Sequence, residues 1–197
     1  MANSNPRAYS AKQLAADAIF CALILGFSLL FSSLAYLSRS VFGVLIAAMF
    51  GFYFTKKPLV RSCTAGTAMV LLMLFLQGVT LTLSVYLPNI LGGIALSLAL
   101  RNTGKIYYLV AVPSLAAITA GEFLLVSHLM MGTTLFASLQ ETLSKYPFIR
   151  IPEADMAFYL TCYFICFCLV MASMKSVIAD KICRILHRRV PQLDKLL

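Results

Sequence analysis

The 39 residues from Ser62 to Leu100 contain no charged side chain. A helix that crosses a membrane needs about 20 mostly apolar residues, so this stretch is too long for one crossing and long enough for two. Pro88 and Asn89 predict the break between them, because proline favours a first helical turn and disfavours helix in the residue before it. Only 12% of the chain is charged, against about 25% in soluble domains. We therefore predict an integral membrane protein.

Apolar runs with few charges along the rest of the chain extend this prediction to six membrane-spanning helices. The second run is short and follows a polar corner at Ser38, Arg39 and Ser40. We predict an all-α bundle that forms a single transmembrane domain over residues 1–197, with a basic cytoplasmic tail at 176–197. The predicted spans are residues 14–37, 40–55, 62–86, 88–101, 106–131 and 156–175.

The positions of the basic residues predict the orientation of this bundle. Six spans place both termini on one side, and 13 of the 16 Lys and Arg residues, Lys175 among them, fall on that side. The opposite side has only Arg39, Lys145 and Arg150. Short loops rich in Lys and Arg stay in the cytoplasm, so we predict a bacterial inner-membrane protein with both termini inside. The net charge of +9 then reports orientation, and no nucleic-acid partner is predicted.

The one long outer connection, residues 132–155, carries an amphipathic pattern. Leu135, Leu139 and Leu143 recur every four residues, with polar side chains on the other face. This predicts an outer amphipathic helix over residues 133–146. It either lies on the outer leaflet or covers a pocket that opens to the outside.

Glu122 is the one carboxylate that the sequence places deep in the membrane. A charge at that depth is costly, so it should face the bundle interior or water. It is either a polar anchor or proton-linked group in an outer ligand pocket, or a structural carboxyl bonded to Thr119 or a neighbouring helix. Gln77, Asn89 and His128 are the other candidates for ligand binding, and each could instead have a structural role.

The first helix combines an acidic residue with small side chains. Asp17 is either a contact for a partner or a first-turn carboxylate that complements the helix dipole. Ala18, Ala22 and Gly26 recur every four residues, a spacing that allows a second helix to approach closely. This stripe predicts either packing within the bundle or docking of a partner subunit.

No motif for catalysis, nucleotide binding or metal binding is present in the sequence. There is no P-loop, GxSxG or HExxH pattern. The six cysteines fall in predicted spans or on the inner side, where thiols stay reduced, and they form no CxxC pair. We predict neither an enzyme nor a cofactor or metal site.

The first helix and the six-span layout resemble the substrate-binding S components of energy-coupling factor (ECF) transporters and the related DUF2232 (YybS-like) membrane proteins. The N-terminal segment that carries the resemblance reads AKQLAADAIFCALILGFSLL, with Ala18 and Ala22 in the place of the AxxxA of S components. The outer segment TTLFASLQETLSKYPFIRIPEAD is more similar to the DUF2232 proteins.

The resemblance implies a membrane subunit that captures a vitamin or similar micronutrient from outside, has no ATPase of its own, and docks through Ala18 and Ala22. Its partners would be membrane lipid, an ECF transmembrane coupling subunit with its ATPases, and the small-molecule ligand. The rod-shape protein MreD is similar in size and span count, so a membrane scaffold of the MreD or DUF2232 type in cell-envelope morphogenesis is the alternative. A small proton-coupled permease is the third interpretation.

Overall fold

The structure is a computed structural model that describes residues 11–32, 36–102, 104–128 and 153–189, and the single positions Ala137, Glu141 and Lys145. All regular structure in these residues is helical, and they contain no strand. The helices are α1 Ala11–Ser32, α2 Tyr36–Phe54, α3 Leu59–Leu81, α4 Leu87–Ala99, α5 Lys105–Val126 and α6 Glu153–Arg189, with a π-helical turn at Thr82–Tyr86 between α3 and α4.

Among the described residues, three helical stretches are long and apolar enough to cross a membrane, which indicates a membrane protein. They are Leu59–Ala99, Lys105–Val126 and Ala157–Leu186. Two shorter apolar helices, Gln13–Leu29 and Gly43–Phe54, lie before them in the chain. The predicted corner at Ser38–Ser40 is wrong, because α2 begins at Tyr36 and includes all three residues. The predicted outer helix at 133–146 lies outside the described residues, apart from three positions.

The break within the long uncharged stretch lies at Gly78, and the predicted break at Pro88 is wrong. Gly78 has φ 79° and ψ 172°, a conformation that glycine adopts readily and that interrupts the helix. A β-carbon on Gly66 would lie 2.9 Å from the side chain of Ile90, and both residues are 12 positions from Gly78. The chain therefore reverses at Gly78 into two antiparallel arms, 59–77 and 79–99.

Pro88 is accommodated within the second arm because it falls in the first turn of α4, directly after the π-helical turn. Proline has no backbone N–H, so it fits where the regular hydrogen bonding to the residue four positions back is already interrupted, as it is at this π-helical turn. The π-helical turn shifts the hydrogen bonding, and the N–H of Leu87 binds the carbonyl of Thr82 five residues back. The proline marks the start of a regular helix, as the sequence predicts, but the chain does not turn there.

Helices α2 and α4 lie side by side in the same direction and separate two apolar clusters. Gly43 faces Asn89 at one end of the pair, and Gly51 faces Leu96 further along. The first cluster joins these helices to α1 and α3, and the second joins them to α5 and α6. Their most buried members are Ile24, Phe50, Phe54, Met69, Met73 and Ile90 in the first, and Ala48, Leu96, Ala111, Leu115, Ala172 and Ala179 in the second.

Close packing of α2 on α4 predicts opposite effects for two glycine substitutions. A β-carbon on Gly51 would lie 2.8 Å from Leu96 Cβ and 3.1 Å from the Gly93 carbonyl oxygen. Neither atom can move without its helix, so we expect Gly51→Ala to lower the free energy of unfolding by about 1–3 kcal/mol. The control is Gly121→Ala on α5, where no described residue lies within 4 Å of the added β-carbon and alanine should stabilise by up to about 1 kcal/mol. Thermal unfolding in detergent followed by circular dichroism measures both, and equal midpoints would contradict the close approach.

Helix α6 is 37 residues long and continues to Arg189, past the predicted end of the last span at residue 175. It packs on α5 through aromatic rings, where Phe123 meets Phe167 at a centroid distance of 5.3 Å. The Tyr107 hydroxyl on α5 donates to the Ser176 carbonyl on α6 at 2.9 Å. The two helices therefore run antiparallel, and residues 176–189 of the predicted tail are part of a packed helix.

Candidate functional site

Glu122 on α5 has its partner on α6, and that partner is Lys175. The Lys175 Nζ lies 3.7 Å from the Glu122 carboxylate and donates to the Thr119 hydroxyl at 3.2 Å. The Lys175 and Glu122 side chains are 23% and 27% exposed, and Thr119 is buried. Both helices are long and apolar enough to cross a membrane. An ion pair between such helices is costly to desolvate, and such groups commonly mark functional sites.

A small cavity adjoins this ion pair. Lys175 and Thr119 line it together with Asn89, and the rest of its wall is apolar, including Val44, Leu115 and Ile118. The centre of a water molecule can reach about 20 Å³ of it, which is room for one water. A vitamin does not fit into this space.

Asn89 is held at the cavity by its own helix and by α2. Its Nδ2 donates to the Val85 carbonyl at 2.6 Å, within the π-helical turn. A β-carbon on Gly43 would lie 2.4 Å from the same nitrogen, so only glycine leaves room for the carboxamide there. Because the chain reverses at Gly78, Asn89 lies well inside the second arm and not at the predicted start of a span.

The four predicted ligand-binding residues therefore do not form one pocket in the described part of the chain. Asn89 lines the cavity, and Glu122 is connected to it through Lys175. Gln77 is half-buried next to the reversal at Gly78, and His128 is exposed beyond the end of α5. Neither of these two side chains lines the cavity.

Lys175 is the member of this site that the sequence does not reveal, because its position predicts a charge on the inner side. It follows the apolar residues of the last predicted span directly, which is also the position of an inner-loop charge. No carboxylate lies three, four or seven residues from Lys175 on its own helix. The one indication in the sequence is Glu122 itself, an isolated carboxylate within a predicted span, which needs a cation from another helix.

A second group of charges surrounds Asp17, where α1 meets the ends of α2 and α3. The Asp17 carboxylate accepts hydrogen bonds from the Tyr53 hydroxyl at 2.9 Å, from Lys57 Nζ at 3.1 Å and from Arg61 Nε. Asp17 is the seventh residue of α1, beyond the first turn, where the helix dipole acts. The predicted dipole role is therefore wrong, and the carboxylate joins three helices.

Lys57 is the most enclosed cation in this group, with its side chain 7% exposed. Its Nζ lies 3.1 Å from the centroid of the Tyr53 ring, and Phe20 stacks on the same ring at 3.8 Å. Burial lowers the pKa of Lys57 from its usual range, while Asp17 acts in the opposite direction. Arg101 contacts this end through hydrogen bonds to the carbonyls of Thr55 and Lys57.

The predicted docking stripe of α1 points away from the rest of the described bundle. Ala18, Ala22 and Gly26 are all exposed, and no atom of the described residues lies within 4 Å of a β-carbon placed on Gly26. The buried face of the same helix carries Asp17, Ile24 and Ser28. Docking through the stripe stays a prediction.

Among the described residues no group of three or more His, Cys, Asp or Glu side chains is placed to hold a metal ion. Comparison of the chain with protein-family models, with curated proteins and with solved structures gives no match. The class that the structure itself defines is an all-helical membrane protein with an ion pair between two helices of spanning length.

Proposed function

We propose that the protein is a membrane-embedded binding subunit of a transporter that takes up a small molecule, without an ATPase of its own. The observation that carries this proposal is the Glu122–Lys175 ion pair, with Thr119, between two helices of spanning length. Ion pairs at such positions cost stability, and substrate or ion pathways are where membrane proteins commonly keep them. An ECF-type transporter is the specific assembly that the sequence resemblance suggests.

Six spans with both termini in the cytoplasm are the membrane arrangement that we propose. The reversal at Gly78 supports it, because the arms 59–77 and 79–99 have 19 and 21 residues, about 28 and 31 Å of helix. With α1, α2, α5 and α6 they make six. Removing Lys175 from the inner count leaves 12 basic residues on that side against three, so the orientation proposed from the sequence is retained.

We further propose that α1 docks on a coupling subunit, which would supply the energy for uptake. The exposure of Ala18, Ala22 and Gly26 supports this, since small side chains on a free helix face allow a partner helix to approach closely. Asp17, on the opposite face, holds α1 against α2 and α3 through the hydrogen bonds that its carboxylate accepts. A partner could therefore bind α1 while the helix stays attached to its own bundle.

Purification of the tagged chain in mild detergent, followed by native mass spectrometry, tests this function. We expect wild type to copurify with a coupling subunit and ATPases, and Ala22→Leu to lose them, because the larger side chain separates the helices. Ala117→Leu on the exposed face of α5 is the matched control and should retain them. Equal recovery of partners by both variants would contradict docking through α1. Recovery of cell-envelope assembly proteins and no ligand would favour the scaffold.

A proton-coupled permease is the second candidate, and the same Glu122–Lys175 pair favours it, because carboxylates within spans commonly relay protons. The two functions differ in their need for a partner. The purified chain alone in liposomes should move solute along a proton gradient if it is a permease, and should be inactive if it is a binding subunit.

A further inference from the structure

The Glu122–Lys175 pair has unused hydrogen-bonding capacity. The 3.7 Å between Lys175 Nζ and the carboxylate exceeds the 2.7–2.9 Å usual for a charge-assisted hydrogen bond. An ammonium has three donors, and Lys175 uses one on Thr119 in the described structure. Each charge therefore compensates the other without a short hydrogen bond between them. A ligand can make shorter hydrogen bonds to both groups than they make to one another.

The space beside the pair limits how a ligand can bind. The cavity holds one water, so a larger ligand that contacts both charges has to separate Lys175 from Glu122. Separation leaves an ammonium and a carboxylate without compensation in a mostly apolar region, unless the ligand replaces each partner. A neutral ligand replaces neither of them. A ligand with a single charge replaces one of them and leaves the other charge unpaired.

A zwitterion meets both requirements at once. We infer that Glu122, Lys175 and Thr119 form a binding site for a small α-amino acid, with its carboxylate on Lys175 and Thr119 and its ammonium on Glu122. The inference rests on the proposed function and names its substrate class. Val44, Leu115 and Ile118, the apolar residues around the adjoining cavity, favour a small aliphatic side chain on the ligand, and this one-water space has to widen when Lys175 and Glu122 separate. Asn89, fixed at the same cavity, offers a further polar contact to the ligand.

Titration of the full chain in lipid nanodiscs with L-valine and two analogues tests the charge requirement. L-Valinol keeps the ammonium and has no carboxylate, while N-acetyl-L-valine keeps the carboxylate and has no ammonium. We expect both analogues to bind at least about 30-fold more weakly than L-valine, because each leaves one charge of the pair without a partner. Isothermal titration calorimetry measures the three affinities.

Two variants extend the test. Glu122→Gln removes the partner of the ligand's ammonium and should reverse the preference toward N-acetyl-L-valine, and Lys175→Gln should reverse it toward L-valinol. Lys181→Gln, an exposed lysine on the same helix, is the matched control and should bind L-valine as wild type does. If either variant fails to fold, the wild-type series with the two analogues still decides the question.

The outcomes separate this inference from the proposed function. Equal affinities for L-valine and either analogue overturn the zwitterion site. Failure of L-valine, L-alanine and L-leucine to bind, with another small molecule retained in native mass spectrometry, overturns the zwitterion site and leaves the binding subunit standing. Absence of any retained ligand, together with absence of coupling partners, overturns the proposed function and the site with it.

Discussion

We expect Asp17→Asn to lower the free energy of unfolding by about 3–5 kcal/mol, the largest effect of any single substitution considered. The carboxylate balances two cations, Lys57 and Arg61, and all three side chains are nearly buried, at 8%, 7% and 11% exposure. Asparagine keeps the shape and removes the charge. Breaking a buried ion pair from one side leaves an uncompensated charge, which costs about this amount.

A graded series of variants measures this cluster in detergent by thermal unfolding. Tyr53→Phe removes one hydrogen bond and no charge, so it should cost about 1 kcal/mol. The matched control is Glu141→Gln, which removes a carboxylate from a salt bridge with Lys145 whose side chains are 74% and 68% exposed. Exposed pairs contribute about 0–1 kcal/mol, so its midpoint should barely move. If Asp17→Asn and Glu141→Gln unfolded at the same temperature, the cluster around Asp17 would have no role in holding α1.

The helices of this protein could be predicted from the sequence because the information is local. A run of uncharged apolar residues has to be helical in a membrane, where every backbone polar group must be satisfied internally. The reversal was harder to place, since both Pro88 and Gly78 are breakers on the same stretch. A first helical turn accommodates proline, whereas the positive φ of Gly78 interrupts the helix.

The ion pairs could not be predicted in the same way, because their members are far apart in the chain. Asp17 and Lys57 are 40 positions apart, and Glu122 and Lys175 are 53. Both carboxylates stand out in the sequence alone. The sequence predicts their cations in inner loops, since a lysine at the end of an apolar run has the same pattern whether it binds lipid headgroups, water or a buried carboxylate.

The second large effect concerns the Glu122–Lys175 pair, where we expect the double variant to be more stable than either single one. Glu122→Gln leaves the Lys175 ammonium beside an apolar cavity, and Lys175→Gln leaves the carboxylate. Each should lower the free energy of unfolding by about 3 kcal/mol, the low end for a buried pair, since both side chains are about a quarter exposed. In the double variant no charge remains, and the two amides can bond to one another.

A double-mutant cycle tests this, because it isolates the energy that depends on both partners being present. We expect a coupling energy of about 1–3 kcal/mol for residues in direct contact, measured from unfolding in detergent. Lys181→Gln combined with Glu122→Gln is the control cycle and should be additive, because Lys181 is exposed on α6 and takes no part in the pair. If the losses at Glu122 and Lys175 were additive, each charge would be stabilised independently of the other. Separating the two charges would then have no cost for a bound ligand to offset. A measured coupling would establish that separating them has a cost, which a bound zwitterion is suited to offset.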